Sequence, residues 1–480
     1  MTSTAILWYR RDLRVHDHPA LRAALDGHDR VVPVFVLDDA LLGGRYASAA
    51  RTEFMLGCLR ALGDALRERG SGLVVRHGRP EQEIPALAGD AGAAAVYWTS
   101  DVSPYARARD RRVTDALGAA GVDARPTTGG YCVDVGRPRT RAGKPFRVFS
   151  PFARAWSDAA RRDVGRAPRR MPALPPGMRR GRVPSLSALG LSSDVRAPVC
   201  PPGEDAARQA LARFLAGTVD DYARRNDEPA GGTSVLSPYL RWGCLSAREC
   251  EERARTRGGR GAHAWVRQLC WRDFYAHLLL HHPESAVDEL QERYRGALEW
   301  APDRGGRHLA AWQEGRTGFP LVDAGMRQLR ETGWMHNRVR LVVASFLTKD
   351  LHLDWRAGEA WFARLLLDGE PAQNTGNWQW IASVGADPAP AFRRMYNPAR
   401  HQERFDPGGA YVRRWVPELR GVPPERLSEP WTMRAEEQAA AGCVIGRDYP
   451  EPIVDHAVER RRALERYRAA GSGRRGPRDR

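Results

Sequence analysis

The rhythm of apolar positions changes part-way along this chain. Over the first ~135 residues, short unbroken apolar runs at Ala5–Tyr9, Val31–Leu37, Leu73–Arg76 and Ala93–Trp98 alternate with amphipathic stretches at Thr52–Arg69 and Tyr105–Ala119. Short continuous apolar runs are typical of strands buried on both faces, as in a parallel sheet. Their alternation with helical stretches predicts a doubly wound, Rossmann-like α/β domain over residues 1–135. Ligands of such sheets sit beyond the carboxyl ends of the strands, and Asp101 falls just past one of these ends. No GxGxxG follows a strand, so the usual dinucleotide fingerprint is absent.

Residues 136–203 are rich in Pro, Gly and Arg, as in RAPRRMPALPPGMRRGRVP. Such a segment breaks regular structure. It predicts an interdomain connector that covers surface, with disorder an equal alternative for its middle. From Glu204 strand patterns vanish and helical periodicity runs to the end, so residues 204–480 are expected to form an all-α domain. The last stretch, RRALERYRAAGSGRRGPRDR, reads as a charged helix fading into a short basic tail.

Composition narrows the class. No apolar run is long enough to span a membrane, and the N-terminus lacks the pattern of a signal peptide. Seven cysteines, scattered and without a CxxC pair, suit a reducing compartment and predict no metal site. A cytoplasmic protein is expected. The formal charge of +17 suggests a polyanionic partner. Only Lys144 and Lys349 are lysines, so nearly all of that charge is arginine. An arginine-, alanine- and glycine-rich composition also follows from a GC-rich genome. Charge alone therefore leaves nucleic-acid binding open.

Candidate chemistry sits in the helical part. Gln268, Trp271, Arg272 and Tyr275 fall at i, i+3, i+4 and i+7, one face of a helix, with Cys270, Phe274, His277 and Leu278 opposite. The first face suits a base or phosphate, or is simply a solvated face bearing a Trp. Asn337, Arg340, Leu341 and Ala344 make a similar stripe in an otherwise apolar helix. If buried, Arg340 needs a partner, and Asp368 is a candidate. In GGTSVLSPYL, Thr233, Ser234 and Ser237 follow two glycines, which makes either a phosphate cradle or an ordinary helix cap. DGEPAQNTGNWQW, residues 368–380, carries Asp368, Glu370, Asn374, Trp378 and Trp380. Two residues apart on a helix, its tryptophans point in different directions.

Taken together, RRDLRVHDHPAL, GGTSVLSPYLRWG, WRDFYAHL, GFPLVDAGMRQLRETGWMHNRVR, DWRAGEAWF, DGEPAQNTGNWQW, MYNP and DYPEPIVDH resemble, in order and over nearly the whole chain, the photolyase/cryptochrome family. The resemblance implies an α/β antenna domain joined to a helical domain that holds FAD. It implies light-driven repair of cyclobutane pyrimidine dimers in UV-damaged DNA, the dimer being flipped out of the duplex. Tyr222, Thr233, Ser234, Val235, Leu236 and Ser237 match contacts to the FAD phosphates and ribityl chain. Arg340, Asp368, Gly369 and Glu370 match those around the isoalloxazine ring, and Asn374 the amide at flavin N5. Trp378, Trp355 and Trp300 match an electron-transfer chain to the surface. Trp271 and Trp380 match indoles that wedge around the dimer. Gln268, Arg272, Tyr275, Asn337, Arg338, Leu341 and Arg394 match its other dimer or DNA contacts. Arg51, Asp101 and Arg241 are the candidates for a second chromophore, 8-hydroxy-5-deazaflavin, with folate or no antenna as the alternatives. A monomer is expected.

Four positions depart from the family pattern. Cyclobutane-dimer enzymes usually carry Glu where Gln268 stands and Met where Leu341 stands. Asp is common at the place of Glu370, and a lysine is found in relatives at that of Arg241. Glutamine at position 268 also occurs in the (6-4) branch, but that branch has His where this chain has Asn337. Repair of (6-4) photoproducts, or a cryptochrome-like blue-light receptor with little repair, are therefore the alternatives.

Overall fold

The computed structural model describes residues 3–303, 306–386 and 389–472. Five strands, β1 (Thr4–Tyr9), β2 (Arg30–Asp38), β3 (Val74–Gly78), β4 (Ala93–Thr99) and β5 (Asp123–Thr127), form one parallel sheet in the order β3-β2-β1-β4-β5. The strand order reverses between β1 and β4, so the crevice beyond Tyr9 and Thr99 is where a doubly wound sheet binds ligands. The first four strands coincide with the apolar runs. β5 does not: DARPT is mostly exposed and lies at the sheet edge, so it carries no continuous apolar run.

Both faces of the sheet are covered. Ile6, Trp8, Val32, Val34 and Val96 pack with Ile84 and Leu87 of the helix Pro80–Ala91 and with Val113 and Leu117 of Pro104–Ala119. On the other face Leu7, Tyr9 and Phe35 join a core containing Phe54 and Leu59 of the helix Ala49–Glu68. That core does not stop at the sheet's own helices. It runs on through Leu211 and Phe214 to Trp265, Leu269 and Phe274 of the long helix Gly259–His281. A second core gathers the helices from Tyr294 to Ala470 around Trp312, Phe346, Trp355 and Trp378.

The connector is more structured than its composition predicts. Phe149–Asp158 is a helix, because FSPFARAW places Phe149, Phe152 and Trp156 on one buried stripe. The Pro-rich stretch after it is irregular but tied down. The Val75 N–H donates to Arg180 O at 2.6 Å, so this segment covers the free edge of β3. Further on, the Arg196 and Ala197 N–H groups donate to Glu331 O at 3.1 and 3.0 Å, which docks the connector on the helical domain. The final helix is His456–Ser472, and the expected basic tail, 473–480, lies outside the described residues.

Candidate functional site

A cavity of about 410 Å³ opens among the helices Gly259–His281, Asn337–Ser345 and Pro371–Ile381 and the loop before Ser237. Tyr222, Thr233, Ser234, Val235, Leu236, Ser237, Arg340, Asp368 and Glu370 all line it. Arg340 Nη2 meets Asp368 Oδ2 at 2.8 Å, and the Ser237 hydroxyl donates to the same oxygen at 2.6 Å. Ser237 Oγ in turn accepts from the Trp334 indole at 3.2 Å. Ser234 Oγ accepts from the Trp265 indole at 3.1 Å. Asp368 Oδ1 is buried and has no hydrogen-bond partner among the described residues. Val235, a β-branched residue, sits at φ +51, a strained conformation of the kind found at ligand clamps. Burial raises the Tyr222 phenol pKa, as does nearby Asp227, so this ring presents a neutral hydroxyl.

The helix Pro371–Ile381 separates its two tryptophans. Trp378 is buried and lines a side chamber with Asn374, Arg340 and Asp368. Its ring lies edge-on to Trp312 at 6.1 Å and to Phe362 at 5.1 Å. Gly358, on the helix Trp355–Leu365, makes room for it: a Cβ there would come within 2.1 Å of the Trp378 ring. Trp355 begins that helix, buried, with its indole N–H on Glu289 Oε1 at 3.3 Å and the Arg356 guanidinium 4.7 Å above its ring. Trp300 is half-buried beneath Arg466. The Asn374 amide is oriented unambiguously. It faces Glu359 O and Glu359 Oε1, both at 2.9 Å and both acceptors, so the atom there is Nδ2 and Oδ1 is left for the chamber.

Trp380 is half-buried and belongs to the mouth of the main cavity, together with Gln268, Trp271, Tyr275, Asn337 and Leu341. Gln268 and Asn337 are exposed there. The arginines are more committed than their sequence positions suggest. Arg272 lines the cavity but gives its Nη groups to Gly130 O at 2.9 Å and Leu240 O at 3.3 Å, a tie to the sheet domain. Arg338 pairs with Asp227 at 2.6 Å and lies 4.6 Å from the Phe405 ring. The Arg394 guanidinium rests 3.6 Å from the Trp380 ring centre, covering one face of the indole.

A second cavity, about 360 Å³, lies beyond the carboxyl ends of β1, β2 and β4, at the reversal in strand order. Arg51, Asp101 and Arg241 line it, and Arg241, Glu370 and Asn374 stand in the wall it shares with the first cavity or its side chamber. Arg51 is buried, and its guanidinium is held by the carbonyls of Ala363 at 2.7 Å, Leu366 at 3.2 Å and Tyr46. Burial lowers its pKa to about 10, helped by Arg11 and opposed by Asp368 and Glu359. For Asp101, burial favours the neutral form, but Arg11 at 3.0 Å and the Ser103 N–H at 2.9 Å outweigh it and hold the carboxyl ionised. Arg241 donates through Nε to Gly369 O at 2.8 Å, while its buried Nη1 has no hydrogen-bond partner among the described residues.

Glu370 explains itself by its length. Its carboxylate reaches across to Arg11 at 2.6 Å and accepts from the Tyr131 hydroxyl at 3.2 Å. Burial opposes its ionisation, yet Arg11 and Arg272 keep its pKa below the ordinary glutamate value. It acts as a strut between the domains at the partition of the two cavities. Sequence reasoning did not find Arg11, Glu359 or Lys349. Lys349 is buried and donates to Ile381 O at 2.6 Å, Ser383 Oγ at 3.1 Å and Arg394 O at 2.6 Å, so it fixes the segment between Trp380 and Arg394. That it is one of two lysines among so many arginines was the available signal: three converging acceptors suit a compact ammonium better than a planar fork.

Residues 5–175 match the family described as DNA photolyase, and residues 265–469 the FAD binding domain of DNA photolyase. A deoxyribodipyrimidine photo-lyase of Streptomyces griseus is 41% identical over 473 residues, covering 97% of this chain and 99% of that one. A bacterial class III photolyase from Agrobacterium tumefaciens superposes with a TM-score of 0.90 at 35% identity, covering 98% of each chain. A cryptochrome from Synechocystis superposes with a TM-score of 0.88 at 28% identity, over 96% of this chain and 99% of that one. With an α/β sheet domain, a helical FAD-binding domain and enzyme relatives matched end to end, the chain belongs to the photolyase/cryptochrome family.

Proposed function

We propose that this enzyme splits cyclobutane pyrimidine dimers in UV-damaged DNA, driven by light, with FAD in the 410 Å³ cavity. The observation that carries the reading is a convergence. Trp271, Trp380, Asn337 and Gln268 form the mouth of the same cavity whose floor holds the Arg340–Asp368 pair and adjoins Asn374. A flipped dimer at that mouth would lie directly over a flavin below it.

The lining fits that cofactor. Asp368 Oδ1, buried and without a hydrogen-bond partner among the described residues, lies beside the Arg340 guanidinium, an acceptor and a donor side by side that suit the mixed edge of an isoalloxazine ring. Thr233, Ser234 and Ser237 with Tyr222 would hold the rest of the molecule. When bound and reduced, FAD supplies the electron that light makes available. The chain does the remainder. With its Nδ2 donating to Glu359, Asn374 would meet flavin N5 through Oδ1, as an acceptor that supplies no proton of its own. Trp378, Trp355 and Trp300 supply oxidisable indoles leading away from the chamber. Glu289 Oε1 accepts from the Trp355 N–H and pairs with Arg356 at 3.0 Å, so this indole is fixed in place between the two. Trp271 and Trp380 exclude water from the lesion and stack on it. An already distorted lesion costs less to unstack, which gives selectivity. The second cavity is assigned to 8-hydroxy-5-deazaflavin, with Arg51, Asp101 and Arg241 in its wall.

The reading is tested by reducing the purified holoenzyme, adding an oligonucleotide with one cyclobutane dimer, illuminating with near-UV or blue light, and following recovery of thymine absorbance. Recovery on that substrate is expected. Recovery only on (6-4) DNA, or on neither, would overturn it. Reconstitution with the deazaflavin should add its absorption band to the action spectrum.

A further inference from the structure

The connector helix Phe149–Asp158 reaches the candidate lesion site, and nothing in that reading uses it. The Phe149 ring lies on the Trp271 ring with centroids 3.5 Å apart and planes 2° from parallel. Offset or tilted aromatic pairs usually hold their centroids about 4.5–7 Å apart. A separation this short means that one face of the indole is almost wholly covered. Phe274 and Tyr275 border Trp271 at 5.7 Å each, so little rotation is left to it. Trp271 is half-buried and lines the cavity mouth, whereas Phe149 is buried.

The Arg267 guanidinium lies 4.8 Å from the Phe149 ring, and the segment that carries Phe149 is anchored on either side of it. The Trp156 indole donates to buried Asp273 at 2.9 Å, and the Phe146 N–H donates to His277 Nε2 at 3.0 Å. Phe152 packs at 5.3 Å from Phe274 and 5.1 Å from His277. Asp273, Phe274 and His277 all belong to the helix that carries Trp271. Connector and lesion helix are therefore one rigid assembly, with the Phe149 ring inserted behind the indole.

We propose that Phe149 is a positioning residue for the lesion: it backs Trp271 so that the indole offers one fixed face to a flipped pyrimidine dimer. A preset stacking face avoids the entropy of ordering an indole at binding. The effect should fall on discrimination for damaged DNA and leave general DNA affinity alone.

The inference rests on the dimer-binding reading of Trp271, and the experiment separates the two. Holoenzyme variants Phe149→Leu, Phe149→Tyr, Trp271→Ala and the double variant Phe149→Leu/Trp271→Ala are titrated with fluorescent duplexes with and without one cyclobutane dimer. Phe149→Leu should weaken damaged-duplex binding about three- to ten-fold, the range of a lost aromatic pair. Binding to the undamaged duplex and flavin content should be unchanged, Phe149→Tyr should restore the affinity, and the double variant should be no worse than Trp271→Ala alone. If Trp271→Ala weakens damaged-duplex binding but Phe149→Leu does not, the positioning role is wrong. If Trp271→Ala has no effect, the dimer-binding reading of this wall fails and the inference with it. Should Phe149→Leu lose flavin, Phe149→Met replaces it in the same comparison.

Discussion

Arg340 and Asp368 are the pair on which the proposed flavin chamber depends. The Asp368 carboxylate is nearly inaccessible, and Arg340 is the cation that meets it, at 2.8 Å. Arg340→Ala leaves a buried charge unpaired, a change that costs about 3–5 kcal/mol in comparable sites. Loss of bound flavin is expected, read as a fall in the flavin-to-protein absorbance ratio. Arg340→Lys should recover it only partly, because an ammonium lacks the guanidinium fork that also reaches Met335 O at 2.8 Å. Gln268 is the residue at which this chain departs most consequentially from the family pattern. It stands exposed at the cavity mouth and brings no titratable group. Gln268→Glu should change dimer affinity several-fold, on the order of 1 kcal/mol, and give repair yield a pH dependence that the natural side chain cannot. An unchanged affinity and a flat profile would show that position 268 does not touch the lesion.

Between elements, the decisive contact is that of the connector helix with Gly259–His281 through Asp273. Burial pushes the Asp273 pKa up to about 7, against the pull of Arg272, the Trp156 indole and the Val133 N–H. An unfolded Asp ionises near pH 4. Between about pH 4 and 7 the folded state therefore binds the extra proton, and stability falls as pH rises through that window. The natural chain should lose stability between pH 5 and 7 by denaturant titration, by up to roughly 2–3 kcal/mol. Asp273→Asn should flatten that slope. An unchanged slope would mean that Asp273 is ionised throughout, held by its three N–H donors.

Across the whole molecule, the two cavities share a wall of which Arg241 and Glu370 are part, and Glu370 ties the helical domain to Arg11 of the sheet domain. Glu370→Asp is one methylene too short to keep the 2.6 Å contact with Arg11. We expect a destabilisation of about 1–3 kcal/mol, since the pair is largely buried but Arg11 keeps Asp101 as a second partner. Differential scanning calorimetry should show the lower melting temperature. If the deazaflavin occupies the second cavity, its transfer of excitation to flavin should weaken as well. An unaltered melting temperature would show that the shared core of Leu7, Phe54, Leu211 and Trp265 holds the domains together without this strut.

What the sequence by itself determined was periodic or local. Four apolar runs specified four of the sheet's five strands, because strands covered on both faces leave a continuous signature. The i, i+3, i+4, i+7 stripe put Gln268, Trp271, Arg272 and Tyr275 on one helix face, and two-residue spacing sent Trp378 and Trp380 apart. Both relations depend only on the geometry of a helix. The tertiary structure alone decided which side chains meet over long separations. The Arg11–Glu370 strut, the Asn374 amide turned by Glu359, the Lys349 clamp and the Phe149 ring behind Trp271 each join residues from different elements, and no local periodicity names their partners. The connector shows the limit most directly. Its Pro- and Arg-rich composition argued for an irregular cover, and much of it is one. Yet FSPFARAW is helical because Asp273, Phe274 and His277 on another helix give its aromatic stripe a surface to bury against.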